Sequence, residues 1–209
     1  MWYNAVKEKE REDIKMKKNS VELVFILDRS GSMHGLEADT IGGFNSVIDE
    51  QKKLDGEVLV TTVLFSNEPE TVHDRVSIEK IKPMTDEDYR TGGCTALLDA
   101  VGGTIKHIEE IHKYIRDEDV PEKTMFVITT DGLENASRRY KGDKVRKTVE
   151  KKKEEGWNFI FLASNIDAAE AADNLGVGRA NSAQFEASAK GSRKLYAKVC
   201  EEVTEFRRK

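Results

Sequence analysis

Val21-Glu22-Leu23-Val24-Phe25-Ile26-Leu27-Asp28-Arg29-Ser30-Gly31-Ser32 is the stretch on which the reading of this chain turns. Its first seven residues are apolar except for Glu22, and they run straight into a carboxylate, two hydroxyls and a glycine. A run this short, rich in Val, Ile and Phe, predicts a strand. Near-continuous apolar character predicts a strand buried on both faces, as in a parallel sheet. Three further runs share this character: Val58 to Phe65, Thr124 to Thr130 and Asn158 to Ala163.

Helical spacing fills the intervals. Ile41, Phe44 and Ile48 fall on one helical face, and the helix has ended by Asp55. Leu98, Val101, Ile105, Ile108 and Ile115 form a clearer apolar stripe, whereas Lys144 to Glu155 offers little beyond Val145 and Val149 and reads as a mostly solvated helix. Strands alternating with helices predict a doubly wound α/β fold with a mainly parallel sheet and helices on both faces.

One segment departs from the alternation. Ser66-Asn67-Glu68-Pro69 joins Val58 to Phe65 to a second extended run, Glu70 to Ile78. Turn residues between two extended runs predict a hairpin, so Glu70 to Ile78 becomes an antiparallel edge strand, where its charges are suited to solvent. A further short strand is expected near Ala180 to Phe185. A closing helix is expected over Glu186 to Arg208, with Leu195, Val199 and Val203 at four-residue steps. Residues 1 to 20 read as a charged lead-in and 21 to 209 as one domain.

Bulk composition narrows the function classes. The chain has 209 residues and a net charge of -5, which gives no nucleic-acid signal. No apolar run approaches the roughly 18 residues of a membrane span. Met1 to Lys18 lacks the apolar segment of a secretory signal. Cys94 and Cys200 do not make a disulfide framework, so the expected setting is reducing and cytoplasmic.

The chemistry gathers at strand ends. Residues at the carboxyl ends of parallel strands sit where ligands bind in open α/β sheets. Asp28, Ser30 and Ser32 follow the first strand, and Gly31 is read as permitting the sharp bend that turns them toward one point. The third parallel strand ends in Thr129-Thr130-Asp131-Gly132 and brings a second carboxylate to the same edge. Between them Gly92-Gly93-Cys94-Thr95 opens the Leu98 helix, and Thr95 offers a third hydroxyl. Each piece alone is an ordinary turn or helix cap. Together, on three segments in order, they make a set of hard oxygen donors of the type Mg²⁺ or Mn²⁺ prefers.

Asp28, Ser30, Ser32, Thr95 and Asp131 resemble the metal-ion-dependent adhesion site of von Willebrand factor A-type domains, the module also seen as the integrin I domain. That motif reads Asp-x-Ser-x-Ser, then a distant Thr and a distant Asp, and every member has a counterpart here. The resemblance covers roughly residues 20 to 205. It implies a mainly parallel sheet with one antiparallel edge, metal contacts through the two Ser hydroxyls and often the Thr, and Asp side chains that often act through water. Ile41-Gly42-Gly43-Phe44-Asn45 and Gly93-Cys94-Thr95-Ala96-Leu97-Leu98-Asp99-Ala100 further resemble stand-alone bacterial members.

The expected function is therefore a metal-dependent module that binds a protein partner, the partner supplying an acidic side chain to the metal. Arg29, His34 and Arg138 are expected to add polar contacts around it. Two alternatives stand beside this one: a metal-assisted hydrolase of phosphate esters, and a metal-free structural scaffold. Against the hydrolase, no nucleophile is paired with a base by pattern, and a haloacid-type phosphatase would carry Asp where this chain has Ser30. His34 and His73 are read as exposed, and His107 and His112, five apart, do not face one point. Cys94 is read as a small residue packed in a tight loop, and Trp157 as packing rather than recognition. The basic run through Arg146, Lys147, Lys151, Lys152 and Lys153 is read as a solvated helix face.

Overall fold

A computed structural model describes residues 17–164, 166–185 and 188–208. Among these residues six strands form one sheet: β1 Lys17–Asp28, β2 Glu57–Phe65, β3 Pro69–Ser77, β4 Pro121–Thr130, β5 Asn158–Ala163 and β6 Ser182–Gln184. Their order is β3-β2-β1-β4-β5-β6. All neighbours are parallel except β2 and β3, so the hairpin and its antiparallel edge are as expected. β1 begins at Lys17, so the last residues of the expected lead-in are strand; the remainder of that lead-in lies outside the described residues.

Among the described residues five α-helices cover the sheet: α1 Glu37–Lys52, α2 Leu97–Tyr114, α3 Gly142–Glu154, α4 Ala168–Leu175 and α5 Ala189–Arg208. The side-chain period of two along β1 divides the core. Val21, Leu23, Phe25 and Leu27 pack with Phe44, Val47 and Ile48 of α1 and Leu195, Val199 and Val203 of α5. Val24 and Ile26 face the other way, onto Val101, Ile105 and Ile108 of α2 and Val145 and Val149 of α3. Each such buried side chain contributes about 1.5–3 kcal/mol relative to exposure, which is why both faces of β1 are apolar. Trp157 stacks on Phe126 at 5.5 Å and is packing, as expected.

α1 and α5 approach closely at Gly43. A Cβ there would lie 2.0 Å from a Tyr196 ring carbon, so the helix pair needs glycine at this position. His73 differs from its expected exposure. It is half-buried beside Phe44, with parallel rings 6.4 Å apart, because β3 folds back over α1's end of the sheet.

Strand order reverses between β1 and β4. β1 is followed by β2 on one side and, after the hairpin and α2, by β4 on the other. In an open α/β sheet this topological switch point leaves a crevice outside the strand carboxyl ends. Asp28 and Thr130 are the last residues of these two strands.

Candidate functional site

The crevice is filled by short polar side chains. Asp28 is fully buried, and Ser30, Thr95 and Asp131 are nearly so, whereas Ser32 is exposed. Ser32 Oγ donates to Asp131 Oδ1 at 2.6 Å and lies 3.2 Å from Ser30 Oγ. A Cβ on Gly132 would stand 3.2 Å from Thr95 Oγ1 and 3.3 Å from Ser32 Oγ, so these two hydroxyls flank the same point. Asp28 Oδ1 accepts from Ser30 N at 2.7 Å, and its other oxygen accepts from Thr130 Oγ1. The five residues singled out in the sequence thus meet at one end of the sheet, from three separate loops.

The loops are tied to one another through the backbone. Gly31 N donates to Gly93 O at 2.9 Å, and Gly92 N to Arg29 O at 2.8 Å. This corrects the role assigned to Gly31, which does not sit in the left-handed region. What glycine allows there is close approach, since a Cβ would lie 3.3 Å from Gly93 O. The left-handed residue is Gly93, at φ 81°, where a Cβ would also strike the Asn67 amide at 2.8 Å. Cys94 is consequently exposed at the turn, not packed within it.

Several positioning residues carry no local sequence signal. The Tyr89 hydroxyl donates to Asp28 O. Asn135 Oδ1 accepts from Thr95 N at 2.9 Å, and Asn135 N returns a bond to Thr95 O at 3.0 Å. Glu134 accepts from Leu98 N, Ala136 N and Ser137 N, and Asp99 accepts from Arg138 N, Arg139 N and Tyr140 N. These two carboxylates pin the loop after β4 to the first turn of α2.

Electrostatics in the crevice are unbalanced. Burial pushes the Asp28 carboxyl above its ordinary range, opposed by hydrogen bonds from Ser30 and Thr130 and reinforced by the nearby charge of Asp131. Burial likewise raises Asp131, opposed by the Ser32 hydroxyl. Asp131 Oδ2 is buried and accepts no hydrogen bond. A buried carboxylate oxygen without a partner is costly, and a cation placed there would relieve both the desolvation and the repulsion.

The surrounding side chains are partly engaged. Arg29 pairs with Glu70 at 2.5 Å. His34 is exposed as expected and bonds Glu37, whose carboxylate is held low by the Thr91 hydroxyl before any effect of His34. His107 bonds Asp74 and His112 bonds Glu22, far apart in the sheet, so the histidines do not converge. Among the described residues, no three His, Cys, Asp or Glu side chains are grouped to hold a metal ion. Any metal here would rest on two carboxylates and three hydroxyls.

No family model matches the chain, and no curated protein resembles it closely in sequence. Solved structures do resemble it. Proximal thread matrix protein 1 from the mussel byssus, in a form with a zinc-occupied metal-ion-dependent adhesion site, superposes with a TM-score of 0.61 at 14% identity over 90% of this chain. The chain spans only 47% of that protein. The von Willebrand factor domain of the type V pili tip protein Mfa5 from Porphyromonas gingivalis superposes with a TM-score of 0.58 at 12% identity, over 86% of this chain and 95% of that one. The VWA2 protein of Sulfolobus acidocaldarius gives 0.56 at 16% identity, over 87% of this chain and 44% of its own length. At such identities the likeness lies in the backbone, and with the strand order and edge hairpin described above it gives this chain the fold of a von Willebrand factor A domain.

Proposed function

We propose that the chain is a protein-binding module that engages its partner through one divalent cation, Mg²⁺ or Mn²⁺, held by Asp28, Ser30, Ser32, Thr95 and Asp131. The observation that carries this reading is the orphaned Asp131 Oδ2, buried beside three hydroxyls and within the field of a second buried carboxylate. The donors are all hard oxygens with no nitrogen or sulfur among them, which suits Mg²⁺ or Mn²⁺ better than a softer ion. Few carboxylates and small hydroxyls also suit a smaller ion than Ca²⁺. That the mussel neighbour holds zinc at its own site supports a divalent ion at this position of the fold.

Two carboxylates neutralise a dication without surplus, so the bound ion would offer an electrophilic position to an outside carboxylate. Ser32 is the exposed member of the set and marks the side from which a partner would approach. The chain's own work is to hold the donors in place: Thr130 and Ser30 fix Asp28, Asn135 fixes Thr95, and the Gly31–Gly93 bond fixes the loop that carries both serines. Binding rather than turnover is the reading, since the hydroxyl-carboxylate pair in the crevice, Ser32 with Asp131, belongs to the proposed metal donors. No helix among the described residues is long and apolar enough to cross a membrane. The exposed free thiol of Cys94 suits a reducing, cytoplasmic setting.

Calorimetry with Mg²⁺ and Mn²⁺, in buffer and in excess chelator, tests the proposal. Chelator-sensitive binding at one site, lost in Asp131→Ala, is expected. No measurable binding of either ion by the folded protein overturns it.

A further inference from the structure

Next to the crevice lies a polar cleft of about 600 Å³ between the β2–β3 turn, the loop before α2 and the loop after β4. Asn67, Glu68, Cys94, Asn135, Arg138 and Arg139 are among the residues that line it. It adjoins the candidate metal site directly, because Cys94 precedes Thr95 and Asn135 bonds the Thr95 backbone.

The hydrogen bonds already made in the cleft decide what it has left to offer. Asn67 Oδ1 is taken by Cys94 N at 2.8 Å, and Asn135 Oδ1 by Thr95 N at 2.9 Å. Each amide thus has its oxygen engaged and keeps its NH₂ group as a donor. Arg138 and Arg139 are tied down through their backbone N–H groups, each 2.9 Å from an Asp99 oxygen. Their side chains are exposed and enter no ion pair among the described residues. Asp99, also in the wall, accepts three backbone N–H bonds and forms no ion pair with either guanidinium group among the described residues. Glu68, exposed on the turn, is the remaining acidic residue of the wall. The cleft thus presents two free arginines and two amide donors on a loop whose backbone is fixed. Leu133, two residues after Asp131 on the same loop, stands 67% exposed.

We infer that this cleft is a second acidic subsite, which takes another carboxylate of the same partner segment whose first carboxylate reaches the metal. The inference rests on the proposed metal-dependent reading for the first contact but not for the second. The occupant is an acidic stretch of a partner protein with at least two Asp or Glu side chains. Arg presents a planar fork that matches a carboxylate, and charge-assisted bonds of this kind are the stronger ones. Glu68 then acts against binding: it screens the arginines and raises the charge density that a partner must carry.

The test uses three fluorescent peptides of equal length: one rich in Glu, one with a single Glu among Gly and Ser, and one with Gln in place of every Glu. Anisotropy is measured on the full chain in Mg²⁺ and in excess chelator. In Mg²⁺ the Glu-rich peptide binds on the order of tenfold tighter than the single-Glu peptide, and the Gln peptide does not bind. The double variant Arg138→Ser, Arg139→Ser removes that advantage while leaving Mg²⁺ binding and the circular dichroism spectrum unchanged. Glu68→Gln tightens the Glu-rich peptide, more so at low salt. Glu-rich binding that survives in chelator yet disappears with the arginines upholds the cleft and removes the cation from the account. An advantage of the Glu-rich peptide that persists without both arginines overturns the inference, whatever the metal does.

Discussion

Thr130 Oγ1 donates to Asp28 Oδ2 at 2.5 Å across the seam between β4 and β1. Both residues are fully buried. The same hydroxyl accepts from Gly132 N at 3.2 Å, so one side chain couples the Asp28 carboxylate to the turn that carries Asp131. The strand pair at the switch point thereby fixes the relative placement of the two acidic residues before any ligand arrives.

Thr130→Val keeps the side-chain shape and removes both bonds. It leaves a buried carboxylate oxygen and a backbone N–H without their partner, at a cost of about 1–3 kcal/mol. Urea denaturation of the metal-free protein should show this as a lowered midpoint with unchanged slope, and Mg²⁺ binding should weaken in parallel. An unchanged midpoint would mean that the bond contributes nothing to holding the seam.

Asp28→Asn separates the structural from the electrostatic role of this residue. The amide can accept from Ser30 N through its oxygen and donate to Thr130 Oγ1 through its nitrogen, so both existing contacts survive. It also removes a charge that burial disfavours and that Asp131 opposes. The metal-free variant should melt at or above the wild-type temperature and lose Mg²⁺ binding. A variant that melts well below wild type would show that the charge itself stabilises the apo crevice, against the direction argued here.

The fold was legible because burial on both faces writes itself into local composition. The runs at Val21, Val58, Thr124 and Asn158 mark four strands, and β5 occupies the expected residues without adjustment. That Asp28, Ser30, Ser32, Thr95 and Asp131 come together was legible because strand ends in this topology converge. Their supports were not. Tyr89, Asn135, Asp99 and Glu134 bond backbone groups tens of residues away, and no period or spacing encodes such pairs. Thr130 stood in plain view beside Asp131, but a Thr in a strand reads as β propensity. Cys94 and His73 were misjudged for one reason: exposure in a loop or at an edge depends on what folds over it. For Cys94 the left-handed Gly93 turns the chain outward, and for His73 the hairpin returns over Phe44.

Away from the crevice, Lys152, expected on a solvated helix face, is instead buried against Trp157, and it offers a pH test. It is 4% exposed, with Nζ 2.9 Å from Glu109 and 2.6 Å from Glu155, and lies over the Trp157 ring at 4.8 Å. The Lys152 hydrogen bond is the main cause holding both carboxyls below their ordinary 4.5. A depressed carboxyl contributes stability that is present above the unfolded value and lost as pH falls through the folded one. Lys152→Met should therefore destabilise the protein by about 1–3 kcal/mol at neutral pH, less than a fully buried pair because both glutamates are part-exposed. The gap to wild type should close as pH drops below 4.5. Melting curves across the acid range check this, and a gap that stays constant to the lowest pH would assign the loss to packing over Trp157 instead.

Gly132→Ala probes the candidate site with one methyl group. Its Cβ would stand 3.2 Å from Thr95 Oγ1 and 3.3 Å from Ser32 Oγ, close enough to press on both hydroxyls but not to collide with backbone. Gly132 is not in the left-handed region, so the substitution brings no backbone strain. The metal-free fold should be nearly unaffected, with a stability change within about 1 kcal/mol. Mg²⁺ affinity should fall by on the order of 10–100-fold, the range typical of disturbed ligand positioning, since the methyl group separates two of the proposed donors. Gly42→Ala is the control: nothing lies within 4 Å of its added Cβ, and it sits in α1 away from the crevice. That change should leave Mg²⁺ binding alone and, by favouring helix, stabilise the protein by about 0.5–1 kcal/mol. Titration of both variants and wild type with Mg²⁺, followed by calorimetry and by melting temperature, gives the answer. If Gly132→Ala binds Mg²⁺ as wild type does, Thr95 and Ser32 do not share an ion, and the proposed donor set loses two of its five members.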